Sequence, residues 1–217
     1  MVINKGCPKH KVKILPNGIS IENTYIDLIK IEKLRKSFSI EKDDFVLFFM
    51  GYLYEFAGLK EIIEYYNDDV SNDKINLKFI IVGDGGIYSQ LKKYVKNLKA
   101  DWFYLTGRVP YFEIAEYIAL SDLCLLSFQI NDITKEITPI KVLEYMAMKK
   151  PVLSTKLPGL FIEMGENHGI IFAKDQRELI TKIGRLVVKK ENLQKIGLKG
   201  HSLVNNFKEF IILLINE

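Results

Sequence analysis

The chain has 217 residues, of which 48% are hydrophobic and 27% charged, and it carries a formal net charge of +4. This composition is typical of a globular domain and excludes collagen-like, intrinsically disordered and disulfide-rich chains. The lysines are dispersed along the chain, which argues against a nucleic-acid-binding stripe and leaves only a weakly basic face. We therefore predict one domain over residues 1–217 and no nucleic-acid partner.

The two cysteines, Cys7 and Cys124, are too few and too far apart for a disulfide framework or a metal site. Cys124 lies within an apolar run, so we expect a small core residue there. No stretch resembles a signal peptide, and no apolar run reaches the length of a membrane span. We expect a cytoplasmic protein, with association at a membrane surface and a membrane-surface acceptor left open.

Apolar runs and amphipathic stretches alternate along the chain, with brief glycine turns between them. The predicted strands are 45–50, 77–82, 102–105, 123–127, 151–154 and 169–172, with a further short candidate at 12–15. The predicted helices are 20–40, 58–67, 87–98, 112–120, one beginning at 139, 175–188 and 191–215. This alternation predicts an α/β fold: a doubly wound parallel sheet, Rossmann-like, with about six strands and helices on both faces.

Sheets of this kind bind ligands beyond the carboxyl ends of their strands. The loops that reach this edge begin at Gly51, Gly83, Gly107, Ser127 and Ser154. The loop that begins at Ser127 leads into residues 136–147. That segment is therefore expected at the binding edge from topology alone.

Residues 136–147 predict a polar loop that turns into a helix, with Thr138 as N-cap and Pro139 as first helical residue. Lys141 then falls in the first turn, where the helix macrodipole disfavours a cation unless an anion binds there. Glu144 lies one turn further along the same face. The simpler interpretation is also open: Glu136 is a carboxylate near a helix start, and Lys141 with Glu144 forms a surface ion pair.

The other motifs in the sequence give weaker evidence of function. Gly83-x-Gly85 follows a strand, but Tyr88 stands where a dinucleotide fingerprint needs its third glycine, so a structural tight turn is favoured. The three histidines, His10, His168 and His201, are widely separated and support neither a metal site nor a catalytic triad.

Several segments together resemble the C-terminal, donor-binding half of a family 4 (group 1) glycosyltransferase of the GT-B fold. Glu136 and Glu144 match the family's Glu-x7-Glu element, and residues 139–152 resemble its continuation. Residues 14–18 are similar to the segment that joins the two halves. Residues 81–85, 107–110 and 121–126 resemble further signatures in the expected order, so the match covers about residues 7–190.

The resemblance implies retaining, metal-independent transfer of a sugar from a nucleotide diphosphate sugar, with no cofactor and a UDP- or GDP-sugar as donor. By position, Glu144 would hold the ribose hydroxyls and Glu136 the transferred sugar. Glu136 and Lys141 are the implied catalytic residues. The remaining donor-binding positions are Ile137, Thr138, Ile140 and Lys141 at the diphosphate, Arg108 and Val109 at the base, and Gly51 and Tyr52 in the loop after the strand at 45–50.

Two departures from the family pattern bear on activity. Tyr52 and Ala57 stand about where the family places an arginine and a lysine on the diphosphate. Either Lys141 and Arg108 supply that charge or catalysis is weakened. The family's acceptor domain is also missing, so residues 1–40 read as a joining segment, residues 191–217 as C-terminal helices, and an N-terminal domain or partner subunit is expected.

The alternative function is a non-catalytic module that binds nucleotide sugars, or another protein, beside a separate acceptor-domain subunit. A GT-B-fold sugar-nucleotide epimerase is less favoured, because residues 14–18 resemble the transferase linker. A nicotinamide dehydrogenase is disfavoured by the incomplete glycine pattern.

Overall fold

The structure, a computed structural model, describes residues 6–8, 26–71, 75–98, 100–190 and 192–216, with side chains as far as residue 206. The strand expected at 12–15 and the joining signature at 14–18 lie outside these residues. Residues 20–25 of the helix predicted at 20–40 lie outside them too, and the described part of that stretch is helical over Leu28–Ser37.

Six parallel strands form one sheet in the order β3-β2-β1-β4-β5-β6. They are β1 (Phe45–Met50), β2 (Leu77–Val82), β3 (Phe103–Gly107), β4 (Leu123–Leu126), β5 (Val152–Thr155) and β6 (Ile170–Ala173). The strand order reverses between β1 and β4, which are paired through Leu47 with Leu123 and Phe48 with Cys124. The doubly wound sheet predicted from the sequence is confirmed, and its switch point lies between β1 and β4.

Eight helices are described. They are α1 (Leu28–Ser37), α2 (Leu59–Ser71), α3 (Tyr88–Leu98), α4 (Ile114–Leu120), α5 (Ile140–Ala147), α6 (Pro158–Met164), α7 (Gln176–Val188) and α8 (Leu193–Asn216), with short 3-10 helices at Glu55–Ala57 and Tyr111–Glu113. Connections between parallel strands are right-handed. Because the chain moves one way from β1 to β3 and the other way from β4 to β6, its helices cover both faces of the sheet. Across the described residues, no helix combines the length and the apolar character that crossing a bilayer would need.

The core is centred on β1, in which all six residues are buried. Strands at the centre of a parallel sheet are covered on both faces, which explains why Phe45–Met50 is a continuous apolar run rather than an alternating one. Cys124, on the neighbouring strand, is fully buried. Burial raises the pKa of its thiol to about 12. The sequence prediction of a core cysteine is confirmed.

Two local predictions were wrong. Pro139 has an extended backbone (φ −66°, ψ 128°), so it is the N-cap of α5 and the helix begins at Ile140 rather than at Pro139. Thr138 is therefore not the N-cap. The sequence reading also missed α6, whose boundaries carry ordinary signals: Pro158 at its first position and Gly165, with positive φ, just after its end.

Candidate functional site

The carboxyl ends of β1, β2 and β3 are held together through their glycines. The amide of Gly51 donates to the carbonyl of Val82 (2.9 Å), and that of Gly83 donates to the carbonyl of Gly107 (2.8 Å). An added Cβ at Gly83 would lie 1.9 Å from the carbonyl oxygen of Gly51. This packing forms the floor of the crevice at the switch point, and it leaves no room for a ligand beneath Gly83. The expected structural tight turn is confirmed.

Helix α5 begins without a capping bond from its N-cap residue. Pro139, its N-cap, offers no side-chain acceptor and makes no cap hydrogen bond. The Val142 amide donates a hydrogen bond to the carbonyl of Pro139 (3.0 Å). By helix geometry the amides of Ile140 and Lys141 have no intrahelical acceptor. Free amides at the positive end of a helix dipole form an anion-binding site.

Lys141 reaches from this first turn back over the end of β1. Its Nζ lies 4.4 Å from the ring centroid of Phe49 and 5.0 Å from that of Phe128. An added Cβ at Gly51 would lie 2.6 Å from the same Nζ. Burial lowers the pKa of Lys141 to about 8, against an opposing effect of Glu144. The side chain is thus a desolvated cation that an arriving anion would stabilise.

Within the described part of the chain, Lys141 makes no ion pair within 4.0 Å, so it is not half of a surface pair with Glu144. The half-buried carboxylate of Glu144 instead accepts a hydrogen bond from the hydroxyl of Tyr111, with 2.9 Å between the hydroxyl oxygen and Oε1. Tyr111 belongs to the loop that follows β3. Lys141 and Glu144 therefore face different neighbours although they are one turn apart.

Glu136 lies on an exposed turn whose backbone is fixed at several points. The Thr134 hydroxyl accepts from the amide of Asn131 (2.9 Å), and the Asn131 side chain accepts from the Thr134 amide (3.0 Å). The amide of Gly159, in α6, donates to the carbonyl of Lys135 (2.7 Å). A Cβ on Gly159 would lie 2.7 Å from the carbonyl carbon of Glu136, so α6 packs directly against the Glu136 backbone. Among the described residues no hydrogen bond or ion pair engages the Glu136 carboxylate.

An aromatic series occupies the loop after β1, where cations were expected from the family pattern. The ring centroids of Tyr52 and Tyr54 are 4.6 Å apart, those of Tyr54 and Phe56 are 4.6 Å apart, and that of Phe56 is 5.2 Å from that of Phe128. Ala57 is fully buried, and its carbonyl accepts a hydrogen bond from Ser127. The series ends at Phe128, below the Lys141 ammonium group. A cation therefore reaches this loop from α5.

Arg108 and Val109 lie at the opposite side of the cleft. Arg108 Nε is 2.7 Å from Asp84 Oδ2, in a pair whose arginine side chain is 82% exposed. Val109 packs against the core. Asp84, Gly85, Tyr88 and Arg108 are among the residues that line an open cleft here, about 460 Å³ in volume. Because exposed ion pairs contribute little, Arg108 can leave Asp84 at low cost.

The sequence-predicted residues thus lie in three segments at the carboxyl edge: Gly51 and Tyr52 after β1, Arg108 and Val109 after β3, and residues 136–144 after β4. Sequence reasoning missed Tyr111 and Phe128, which contact Glu144 and Lys141. Their position just after strands was the available signal. Across the described residues, no group of three or more His, Cys, Asp or Glu side chains could hold a metal ion.

The fold is that of a Rossmann-like domain, and the predicted site residues lie at the carboxyl edge of its sheet. Residues 30–202 match the family model for glycosyl transferases group 1. The chain therefore belongs to the group 1 glycosyltransferases, as the C-terminal domain of the GT-B fold. An uncharacterized glycosyltransferase of Methanocaldococcus jannaschii, MJ1069, is 26% identical over 203 residues, which are 91% of this chain and 48% of that protein. The chain thus spans about half the length of this relative.

Solved structures share the fold. Alr3699/HepE of Anabaena, solved in complex with UDP, superposes with a TM-score of 0.71 at 17% identity over 99% of this chain and 60% of that one. The C-terminal domain of a group 1 glycosyl transferase, LpcC of Francisella tularensis, gives 0.66 at 16% identity over 87% of this chain and 97% of that one. At these identities the likeness concerns the fold.

Proposed function

We propose that this domain binds a nucleotide diphosphate sugar and serves as the donor half of a retaining, metal-independent glycosyltransferase. The observation that carries the proposal is the start of α5. There, the amides of Ile140 and Lys141, which Pro139 does not cap, and the desolvated Lys141 side chain converge at the switch point of the sheet. A diphosphate supplies the negative charge that both features favour.

The neighbouring carboxylates suit the two sugar rings of such a donor. Glu144 accepts from the ribose hydroxyls, as acidic residues do in dinucleotide sites. Glu136, whose carboxylate is exposed, accepts from the transferred sugar. Arg108 and Val109 line the base, and Thr138, Ile140 and Lys141 surround the diphosphate beside Gly51 and Tyr52.

In this scheme the chemistry is leaving-group stabilisation. When the bond between the sugar and the diphosphate breaks, negative charge grows on the diphosphate oxygen. Fixed amides and the Lys141 ammonium group stabilise that charge without reorganisation, which is how preorganised donors accelerate such steps. An acceptor-binding domain, on the same longer chain or on a partner, completes the cleft, as the greater length of the relative suggests.

Titration of UDP- and GDP-sugars by calorimetry tests the proposal. A donor present at a hundred times its dissociation constant stabilises the fold by about 2.7 kcal/mol, which is measurable as a shift in Tm. Glu144→Gln should abolish most of the shift, and Glu32→Gln, which changes an exposed carboxylate of α1, should leave it intact. Absence of binding by every donor would refute the proposal, and an unchanged shift in Glu144→Gln would remove Glu144 from the site.

A second candidate is a module that binds the nucleotide sugar without turning it over. The aromatic series at Tyr52, Tyr54 and Phe56, together with the buried Ala57, favours it, because the loop after β1 offers no cation. Slow hydrolysis of a bound UDP-sugar distinguishes the two. Measurable release of UDP supports a transferase, whereas binding without release, with an acceptor domain supplied, supports the module.

A further inference from the structure

A hydrogen bond joins the segment after β3 to helix α5. Tyr111 is the first residue of the 3-10 helix Tyr111–Glu113 after β3, and its hydroxyl donates to Oε1 of Glu144 on α5 at 2.9 Å. The two residues are 33 positions apart. The bond therefore depends on the fold and not on local sequence.

Glu144 has few other restraints. Lys141, its neighbour one turn away, directs its ammonium group toward Phe49 and Phe128. Within the described part of the chain, Tyr111 is the one side chain that donates a hydrogen bond to the Glu144 carboxylate. A glutamate has three side-chain torsions, so one directional contact decides much of where its oxygens lie.

Tyr111 is held for this contact rather than for burial, since 63% of the residue is exposed. Its backbone is fixed by the 3-10 turn, in which the Glu113 amide donates to the carbonyl of Pro110 at 2.9 Å. Partial burial and the neighbouring Glu144 raise the pKa of Tyr111 above its ordinary value. The hydroxyl consequently stays protonated and able to donate at physiological pH.

A carboxylate has two oxygens and about four lone-pair positions. Tyr111 uses one position on Oε1, which leaves Oε2 for a vicinal diol. We propose that Tyr111 is a positioning residue: it orients the Glu144 carboxylate toward the ribose and so sets the preference of the site for ribonucleotides. This inference rests on the function proposed above, in which Glu144 holds the ribose.

The test compares a ribonucleoside diphosphate with its 2′-deoxy analogue, using UDP or GDP according to which one the wild-type chain binds. In Tyr111→Phe we expect the affinity for the ribonucleotide to fall about fivefold, as for loss of a hydrogen bond to a charged group at a partly exposed site. Affinity for the deoxy analogue should fall less, so the discrimination between the two shrinks. Tyr65→Phe, an exposed tyrosine of α2, is the matched control and should bind like the wild type.

The double variant Tyr111→Phe with Glu144→Gln tests whether Tyr111 affects nucleotide affinity through the Glu144 carboxylate. No further loss is expected, because the hydroxyl acts through the carboxylate. Three results would overturn the inference: equal losses for both nucleotides, additive losses in the double variant, or tighter binding by Tyr111→Phe, which would make Tyr111 a competitor. If the wild-type chain binds no nucleotide, the proposed function fails. If Glu144→Gln weakens binding and Tyr111→Phe does not, only the role of Tyr111 fails.

Discussion

The glycine turn after β2 and the start of α5 both lie at the carboxyl edge of the sheet, and they differ in what surrounds them. At the turn, the space that side chains would take is filled by protein. An added Cβ would lie 1.9 Å from the Gly51 carbonyl at Gly83, 2.1 Å from the Tyr52 ring at Gly85 and 2.0 Å from the Leu53 carbonyl at Gly86.

The start of α5 differs from this glycine turn in its hydrogen bonding and in its charge. Its N-cap residue, Pro139, makes no capping hydrogen bond, and the desolvated Lys141 lies in its first turn. A glycine motif therefore indicates that another group approaches the backbone closely. That group can be a ligand or another loop of the protein, and the fold decides which.

The largest expected effect is at the turn. Gly83→Ala should lower the free energy of unfolding by about 3 kcal/mol, because the residue has a φ of +139° and its Cβ would clash with backbone. Gly107→Ala is the matched control: its φ is also positive, at +77°, but the nearest atom is at an ordinary 3.4 Å, so about 1 kcal/mol is expected. Urea denaturation measures both, and equal losses would show that Gly83 is not a packing residue.

The next effect is at the α5 entry, where stability and binding should change in opposite directions. Lys141→Met removes a desolvated charge and keeps a flexible apolar chain, so we expect the free energy of unfolding to rise by about 1 kcal/mol. Nucleotide affinity should fall about tenfold to a hundredfold, as for loss of a charge-assisted hydrogen bond to phosphate.

Lys60→Met controls for loss of a lysine that lies over an aromatic ring, since its Nζ is 4.9 Å from the centroid of Tyr94. It should leave nucleotide affinity unchanged. Calorimetry and urea denaturation of both variants measure the two effects. Wild-type nucleotide affinity in Lys141→Met would place the diphosphate elsewhere.

The smallest effect is a pH dependence. The pKa of Lys141 is lowered to about 8, whereas the last ionisation of a nucleoside diphosphate has a pKa of about 6 and is nearly complete by pH about 7. Nucleotide affinity should therefore fall about tenfold between pH 7 and pH 9, as the lysine loses its proton. Lys141→Arg, which stays charged, should flatten the profile, and a flat wild-type profile would contradict the contact.

The lowered pKa of Lys141 also makes the free energy of unfolding depend on pH. The unfolded chain retains the ordinary lysine pKa, so between pH about 8 and about 10.5 the unfolded state binds more protons and the stability contributed by Lys141 rises with pH. Below pH 8 the desolvation penalty is fully present. Chemical denaturation of the wild type and Lys141→Met across this pH range measures the contribution of Lys141 ionisation to the free energy of unfolding.

Much of the fold could be predicted from the sequence, because the strands are buried on both faces. The run at residues 45–50 and the run at residues 77–82 coincide with β1 and β2 to the residue. Helix α6 was missed because its seven residues are too few to fix a helical period, whereas α4, equally short, is preceded by the 3-10 helix Tyr111–Glu113, which lengthens its pattern. The start of α5 shifted by one residue because a proline can occupy either the N-cap or the first turn, and its ψ angle decides which.

The sequence by itself determined the parallel α/β sheet and the arrival of residues 136–144 at the carboxyl edge, since both follow from local periodicity and chain order, while its motifs carried the resemblance to the family. Only the tertiary structure decided that Lys141 lies over Phe49 and Phe128 and that Tyr111 donates to Glu144. These contacts join residues far apart in the chain. Their distances depend on how strands and loops pack, and no local pattern encodes them.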